Sequence, residues 1–309
     1  MDFRLTADQT ALLSALDGLV KRFESVRSGF HEFALFSADL EQDLSDGQYF
    51  DIAAVPELGA VSAVLAVERL ARLPCTAEFA LSMLVRPHLA REWPRPLAVC
   101  ENGQPGRFVA MAKTLLLVRG KRIELATPAS AALAASDSLF AYPMGRLTGA
   151  VHGEPLSDDE AAAVRSWLRV ALAAEAAGLM HSAIATTVEH LTTRRQFGRP
   201  IGTFQALRHR LAECSVLAGG VRWLALKAGA TGDAGDAALA ALHAQQSATR
   251  IVYDVHQMHG AMGMTLEHSL HLWTYRLKAL LSQLGGRSAQ ASAAADYVFA
   301  TSSAARSNS

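Results

Sequence analysis

From Ser157 to Leu284 apolar side chains return at helical spacing in four runs, and the connections between them are short and carry glycine or proline. Each such run buries one stripe, and short connections force neighbours antiparallel, so the expected architecture is an antiparallel four-helix bundle. The first helix opens at Ser157 and Glu160, spaced as a capping box. Val164, Leu168, Leu172, Leu179, Val188 and Leu191 lie on or near its stripe. It is expected to end near Phe197, where Gly198 takes a left-handed conformation and Pro200 stops the helix. Thr203 is placed to cap the second helix, which turns Leu207, Leu211, Cys214 and Leu217 inward. The third spans about 237–259 and the fourth about 266–284.

The rest of the chain differs in texture. Up to residue 96 it reads as a helical domain: Leu5, Leu12, Leu13, Leu16, Leu19, Val20 and Phe23 follow the cap Thr6, and "VPELGAVSAVLAVERLARL" forms another packed helix. Residues 97–151 form a small β-rich segment, with "RGKR" as the turn between two strands and "DSLFAYPMGRLTGAV" adding another. The bundle takes 152–300, and 301–309 is a small, polar, flexible tail.

Half of the 309 residues are hydrophobic and 19% are charged, so the chain is globular. Twenty-nine basic residues balance 29 acidic ones, which excludes a general nucleic-acid or anionic-membrane surface. Cys75, Cys100 and Cys214 are far apart, fitting buried thiols in a reducing cytoplasm. The N-terminus has no basic and apolar leader pattern. "WLRVALAAEAAGLM" is interrupted by Arg169 and Glu175 and reads as a core helix, not a membrane span.

Against this neutral background, "TTRRQFGRPIGTFQALRHRLAE" stands out. Arg194 and Arg195 close a helix, where cations complement its dipole, and an arginine fork also suits a phosphate. Phe197 lies on the turn and Gln205 in the first turn of the next helix. A second stretch, "HQMHGAMGMTLEH", puts Gly260 and Gly263 between two long helices, where exposed amides make an anion site.

Together these stretches resemble the acyl-CoA dehydrogenase family. The pattern R-x-x-F-G followed by P-I-G-x-F-Q matches Arg194, Phe197, Gly198, Pro200, Ile201, Gly202, Phe204 and Gln205. Q-x-x-G-G-x-G-x-x-x-E matches Gln257, Gly260, Gly263 and Glu267, with Ala261 at the second glycine. "TLEHSLHLW" is similar to the bacterial branch of the family. The resemblance is strong from Ser157 to about Arg276, fair at the start and poor in the middle. It implies a helical N-terminal domain, a middle β-domain and a C-terminal bundle that also forms the subunit contacts. It further implies that Arg194, Phe197, Gln205, Gln257, His259 and Gly260 hold the ADP portion of an FAD whose flavin sits in the neighbouring subunit.

The chain departs from the family where the chemistry happens. Removing an acyl-CoA α-proton needs a carboxylate within hydrogen-bond reach. The family places it in one of two positions, which fall here at Leu168 and, depending on the anchor used, at Gly285 (Arg276) or Leu284 (Gln257). None of these can act as a base. Glu175 lies seven residues beyond Leu168, roughly 10 Å of helical rise, too far to reach the same proton. It is expected to be buried against an arginine. The Thr-Glu-Pro-type loop that seats the flavin ring is missing between Leu97 and Val151. The resemblance therefore implies a non-catalytic subunit of a heteromeric, FAD-dependent acyl-CoA dehydrogenase of the bacterial steroid-catabolic type. A longer partner would supply the base, the flavin pocket and most of the acyl-CoA site, in an α2β2 assembly. The alternatives are a flavin-free homo-oligomeric binding or assembly protein and a homomeric enzyme with a relocated base.

The remaining features are blander. His256 and His259, and His268 and His271, are spaced i, i+3, but no third ligand is visible, so no metal site is expected. Trp167, Trp223 and Trp273 read as core or interface anchors.

Overall fold

The computed structural model describes residues 4–25, 33 and 35–307, with side chains through residue 299. Helix α1 (Ala7–Val20) starts at the Thr6–Gln9 capping box and buries Leu13, Leu16 and Val20. Helices α2 (Ala38–Asp46), α3 (Gly59–Ala71) and α4 (Ala80–Leu84) complete the first helical layer. Its centre is α3, which is buried along most of its length because alanine, valine and leucine make up most of it and its buried Glu68 is paired with Arg72 and Arg222.

The middle segment forms two small sheets. Strands β1 (Leu97–Glu101), β3 (Thr114–Arg119), β4 (Arg122–Ala126) and β7 (Glu154–Pro155) pair in the order β1-β3-β4-β7. Strands β2 (Gly106–Arg107), β6 (Met144–Leu147) and β5 (Leu133–Ala135) make the second sheet. β3 and β4 are the two strands expected around "RGKR", with Arg119 opposite Arg122 and Gly120 at φ 59° in the turn.

Helix α5 (Asp158–Thr193) starts at the Ser157–Glu160 capping box and runs 36 residues. By length and composition it could cross a bilayer, but 72% of its apolar window is buried inside the fold. α6 (Gln205–Thr231) and α7 (Ala234–His259) pack on it, and α3 crosses it at Gly178. A Cβ at Gly178 would stand 2.1 Å from the Glu68 carbonyl oxygen, so this crossing tolerates glycine alone.

Three expectations about the bundle are corrected. First, α5 stops at Thr193, and Arg195–Gln196 (β8) and Arg199–Pro200 (β9) form a hairpin where continued helix was expected. Second, α6 begins after Phe204, and the Thr203 hydroxyl donates back to the Pro200 carbonyl (2.7 Å) instead of capping it. Third, the fourth helix is shorter than expected, α8 (His271–Leu280), and a further helix, α9 (Gly286–Ser307), follows it, with Leu284, Gly285 and Gly286 all at positive φ between them. Helical backbone continues to Ser307, through most of the stretch expected to be a flexible tail. α8 is locked to the N-terminal layer by Arg276, 1% exposed, which donates to the carbonyls of Leu272, Leu73 and Cys75.

Candidate functional site

The corner after α5 is a projecting hairpin. Phe197 and Gly198 are its two turn residues, at φ 51° and 77°, the combination a two-residue hairpin favours because its twist matches the strands. Phenylalanine is a costly choice for that conformation. Its ring is 88% exposed, touching Phe204 edge-on at 5.9 Å, while the Arg199 guanidinium lies 4.3 Å over the Phe204 ring. Arg194 caps α5, is exposed, and has no side-chain hydrogen bond or ion pair among the described residues. Gln205 meets His209 at 3.3 Å.

Helix α7 ends beside this corner. Its last residue, His259, stacks on His190 of α5 with ring centroids 4.3 Å apart, which brings the C-terminal ends of α5 and α7 together. Gln257 is exposed and free of side-chain bonds among the described residues. Gly260 follows at φ 60°, ψ −138°, a conformation that glycine alone adopts readily. Both line an open, largely apolar hollow of about 670 Å³ with Tyr253, His256, Met264 and Tyr275. Arg194, Phe197, Gln257 and Gly260 thus share one end of the bundle. His259 is different: it is 4% exposed and lies beneath this surface, donating Nδ1–H to the Val255 carbonyl at 2.7 Å. Glu267 is exposed in the turn that precedes α8.

Leu168 and Leu284, the latter one of the two alternatives for the second expected base position, meet at the other feature of interest, whereas Gly285, the other alternative, does not line it. Leu168 of α5 and Leu284 line one cavity, together with Leu172, Phe108, Glu101 and Glu175. Its free space is about 30 Å³, room for one or two waters and far below the several hundred Å³ of a ligand pocket. Glu175, 2% exposed, accepts both Oε1 and Oε2 contacts from the Arg107 guanidinium at 2.8 Å, and the Tyr142 hydroxyl donates to Oε1 at 2.6 Å. This is the expected arginine pairing. Burial opposes the charge on Arg107, yet the Glu175 carboxylate more than offsets it and holds the guanidinium above its ordinary pKa. Burial, then the same carboxylate, pushes the Tyr142 hydroxyl up. Both oxygens of Glu101 are likewise engaged, by the backbone amides of Leu284 and Gly285. Successive left-handed residues there present their N–H groups as an anion nest. No described carboxylate in this cavity is left without partners.

Sequence reading missed His190. It joins His259 and His268 in a cluster whose ligand atoms lie within 4.8 Å of one another. The two i, i+3 histidine pairs instead separate: His256 contacts the Gly263 carbonyl and Thr274, and His271 the His268 carbonyl. The signal was a single histidine 69 positions upstream of His259, which no local spacing rule detects.

Comparison with known proteins bears on both features. The family model for the acyl-CoA dehydrogenase C-terminal domain matches residues 163–291. The chain is 37% identical over 123 residues to acyl-CoA dehydrogenase IpdE2 of Mycobacterium tuberculosis, covering 40% of this chain and 38% of that protein. It is 34% identical over 130 residues to IpdE2 of Mycolicibacterium smegmatis, covering 42% and 41%. The matched stretch thus spans less than half the length of these relatives. Among solved structures, a chain of the ChsE4-ChsE5 complex from Mycobacterium tuberculosis superposes with TM-score 0.78 at 20% identity, covering 94% of this chain and 96% of that one. Glutaryl-coenzyme A dehydrogenase superposes with TM-score 0.73 at 17% identity, covering 96% of each. One end of the bundle thus carries an arginine with no described side-chain partner, an exposed ring and a glycine-opened amide, and the cavity at Leu168 and Leu284 has about 30 Å³ of free space. The chain has the acyl-CoA dehydrogenase fold, and its residues 163–291 match the C-terminal domain of that family.

Proposed function

We propose that this chain is the non-catalytic subunit of a heteromeric, FAD-dependent acyl-CoA dehydrogenase. Arg194, Phe197, Gln257 and Gly260 would hold the ADP portion of a cofactor seated in a longer partner, and Gln205 would add a polar contact. Bound FAD supplies the hydride acceptor of the α,β-dehydrogenation. In this chain Arg194 offers a planar fork for a pyrophosphate oxygen pair, Phe197 a face for the adenosine end, and the Gly260 segment its backbone.

One observation carries this reading: the cavity at Leu168 and Leu284 has little free space, while the end of the bundle presents donors with no partner among the described residues. Leu168 and Leu284 can neither accept a proton nor make space for a thioester. Outward-facing apolar residues support a covering subunit: Val216 is 73% exposed and Trp223 51% on α6, and Tyr253 64% on α7. The likeness to the ChsE4-ChsE5 complex and to the Tcur3481-Tcur3483 steroid ACAD supports a partner subunit and a steroid-derived acyl-CoA. His259 serves this site from below, through its stacking on His190.

Co-expression with a full-length relative that carries a glutamate base, followed by flavin counting, tests the proposal. The complex is expected to be yellow and the lone chain colourless, and Arg194→Ala should strip FAD from the complex. Unchanged flavin in Arg194→Ala sinks the site assignment; thioester oxidation by the lone chain sinks the subunit role. The exposed α6–α7 residues also fit a second copy of this chain. A flavin-free homodimer that ignores every offered relative would establish that alternative.

A further inference from the structure

His190 in the last turn of α5, His259 at the end of α7 and His268 in the turn before α8 converge from three separate segments. Their rings touch pairwise, with centroids 4.3 Å apart for His190–His259, 4.5 Å for His259–His268 and 5.6 Å for His190–His268. The central member is prepared in a specific way. The His259 Nδ1–H is spent on the Val255 carbonyl, which fixes the tautomer and leaves Nε2 as a bare lone pair. That Nε2 is buried and has no hydrogen-bond partner among the described residues, in a side chain 4% exposed. An unsatisfied buried acceptor costs about 1–3 kcal/mol, so its retention calls for a reason.

We propose that His190, His259 and His268 form a three-imidazole site for a divalent transition-metal ion such as Zn2+. An all-nitrogen donor set suits zinc and its neighbours in the first transition row and is poor for calcium or magnesium. The carbonyl bond at His259 Nδ1 is the outer-shell partner that metal-bound histidines characteristically have. Zinc–nitrogen bonds of 2.0–2.1 Å in a tetrahedral set bring ligand atoms to about 3.4 Å from one another, so the cluster must contract. His190 and His268 are half-buried and free to turn inward on the fixed His259. His268 would give up the 3.2 Å bond its Nδ1 accepts from the Leu270 amide. Three protein ligands leave the fourth position to water, beside the Arg194 corner.

The test uses the full chain, alone or in any complex it enters, stripped with chelator and titrated with Zn2+ by calorimetry and with Co2+ by visible absorption. One equivalent is expected to bind, with the absorption of tetrahedral cobalt and a rise in Tm. His190→Gln and His268→Gln, both at half-buried positions, should each weaken binding by more than about tenfold. His152→Gln, an exposed histidine elsewhere, should leave it unchanged. Failure of the wild-type chain to bind one equivalent overturns the proposal, as does unaltered affinity in both variants. Metal stoichiometry is read without flavin or turnover, so this result is independent of the subunit reading.

Discussion

Glu101, on β1, accepts the backbone amide of Leu284, at the position where a relative with a C-terminal base would carry its glutamate. The second carboxylate oxygen takes the Gly285 amide at 3.3 Å. A β-strand carboxylate thereby fastens three left-handed residues that no local preference would hold, since Leu284 at φ 57° is strained. Glu101→Gln should release this turn and lower stability by about 1–2 kcal/mol. Faster amide hydrogen exchange confined to residues 282–287 would show that the loss is local.

Leu168→Glu should not create an active enzyme. The new carboxylate would be buried in a cavity with about 30 Å³ of space, beside the carboxylates of Glu101 and Glu175, at a cost of roughly 3 kcal/mol or more. Thermal unfolding should register a large drop in Tm, and an acyl-CoA/dye-reduction assay of the lone chain should remain at background.

Phe197→Asn separates fold from recognition. Asparagine tolerates the left-handed turn better than phenylalanine, and the ring is 88% exposed, so stability should hold or rise by about 0.5 kcal/mol. Flavin content of the reconstituted complex should fall. Equal flavin in both proteins would remove Phe197 from the site.

Gly178→Ala tests the α3–α5 crossing. With the new methyl 2.1 Å from the Glu68 carbonyl oxygen, the helices must separate, at a cost of roughly 3 kcal/mol or more. Urea unfolding midpoints measure this directly; a cost below about 1 kcal/mol would mean that the helices slide freely.

His88 stacks on Trp167 with ring centroids 3.9 Å apart, and burial lowers its pKa. The unfolded chain then binds this proton more readily than the folded one. The resulting stability is complete above about pH 6.5 and declines as pH falls through that value. His88→Phe should flatten the fall in Tm between pH 7 and 5 by about 1 °C. An unchanged slope would exclude His88 as a contributor.

Much of the bundle was legible because its signals are local. The Ser157–Glu160 box fixes the start of α5, and the Thr6–Gln9 box does the same for α1. The strands around "RGKR" follow from alternation and a turn glycine. The corner misled because Gly198 after a helical run is also a helix-stop signal. The choice between stop and hairpin depends on the Ile201 amide bonding back to the Arg194 carbonyl, a closure that spacing does not encode. The expected end of the fourth helix at 284 coincides with the α8–α9 break, but α9 and the fastening of the break by Glu101, nearly two hundred positions away, were not foreseen. The arginine pairing of Glu175 was foreseeable from burial, but its partner Arg107 was not, since that contact exists only once the β-segment packs on α5.

The meeting of Leu168 and Leu284 also shapes what selection can do with this chain. A carboxylate acquired at either position before the walls move apart is buried beside carboxylates already present, with room for one or two waters at most. Walls that move apart first leave an unfilled hole, which is itself destabilising. Every one-step route from this arrangement to a proton-abstracting one descends into a fitness valley, so a chain packed this way is held in it by its own interior.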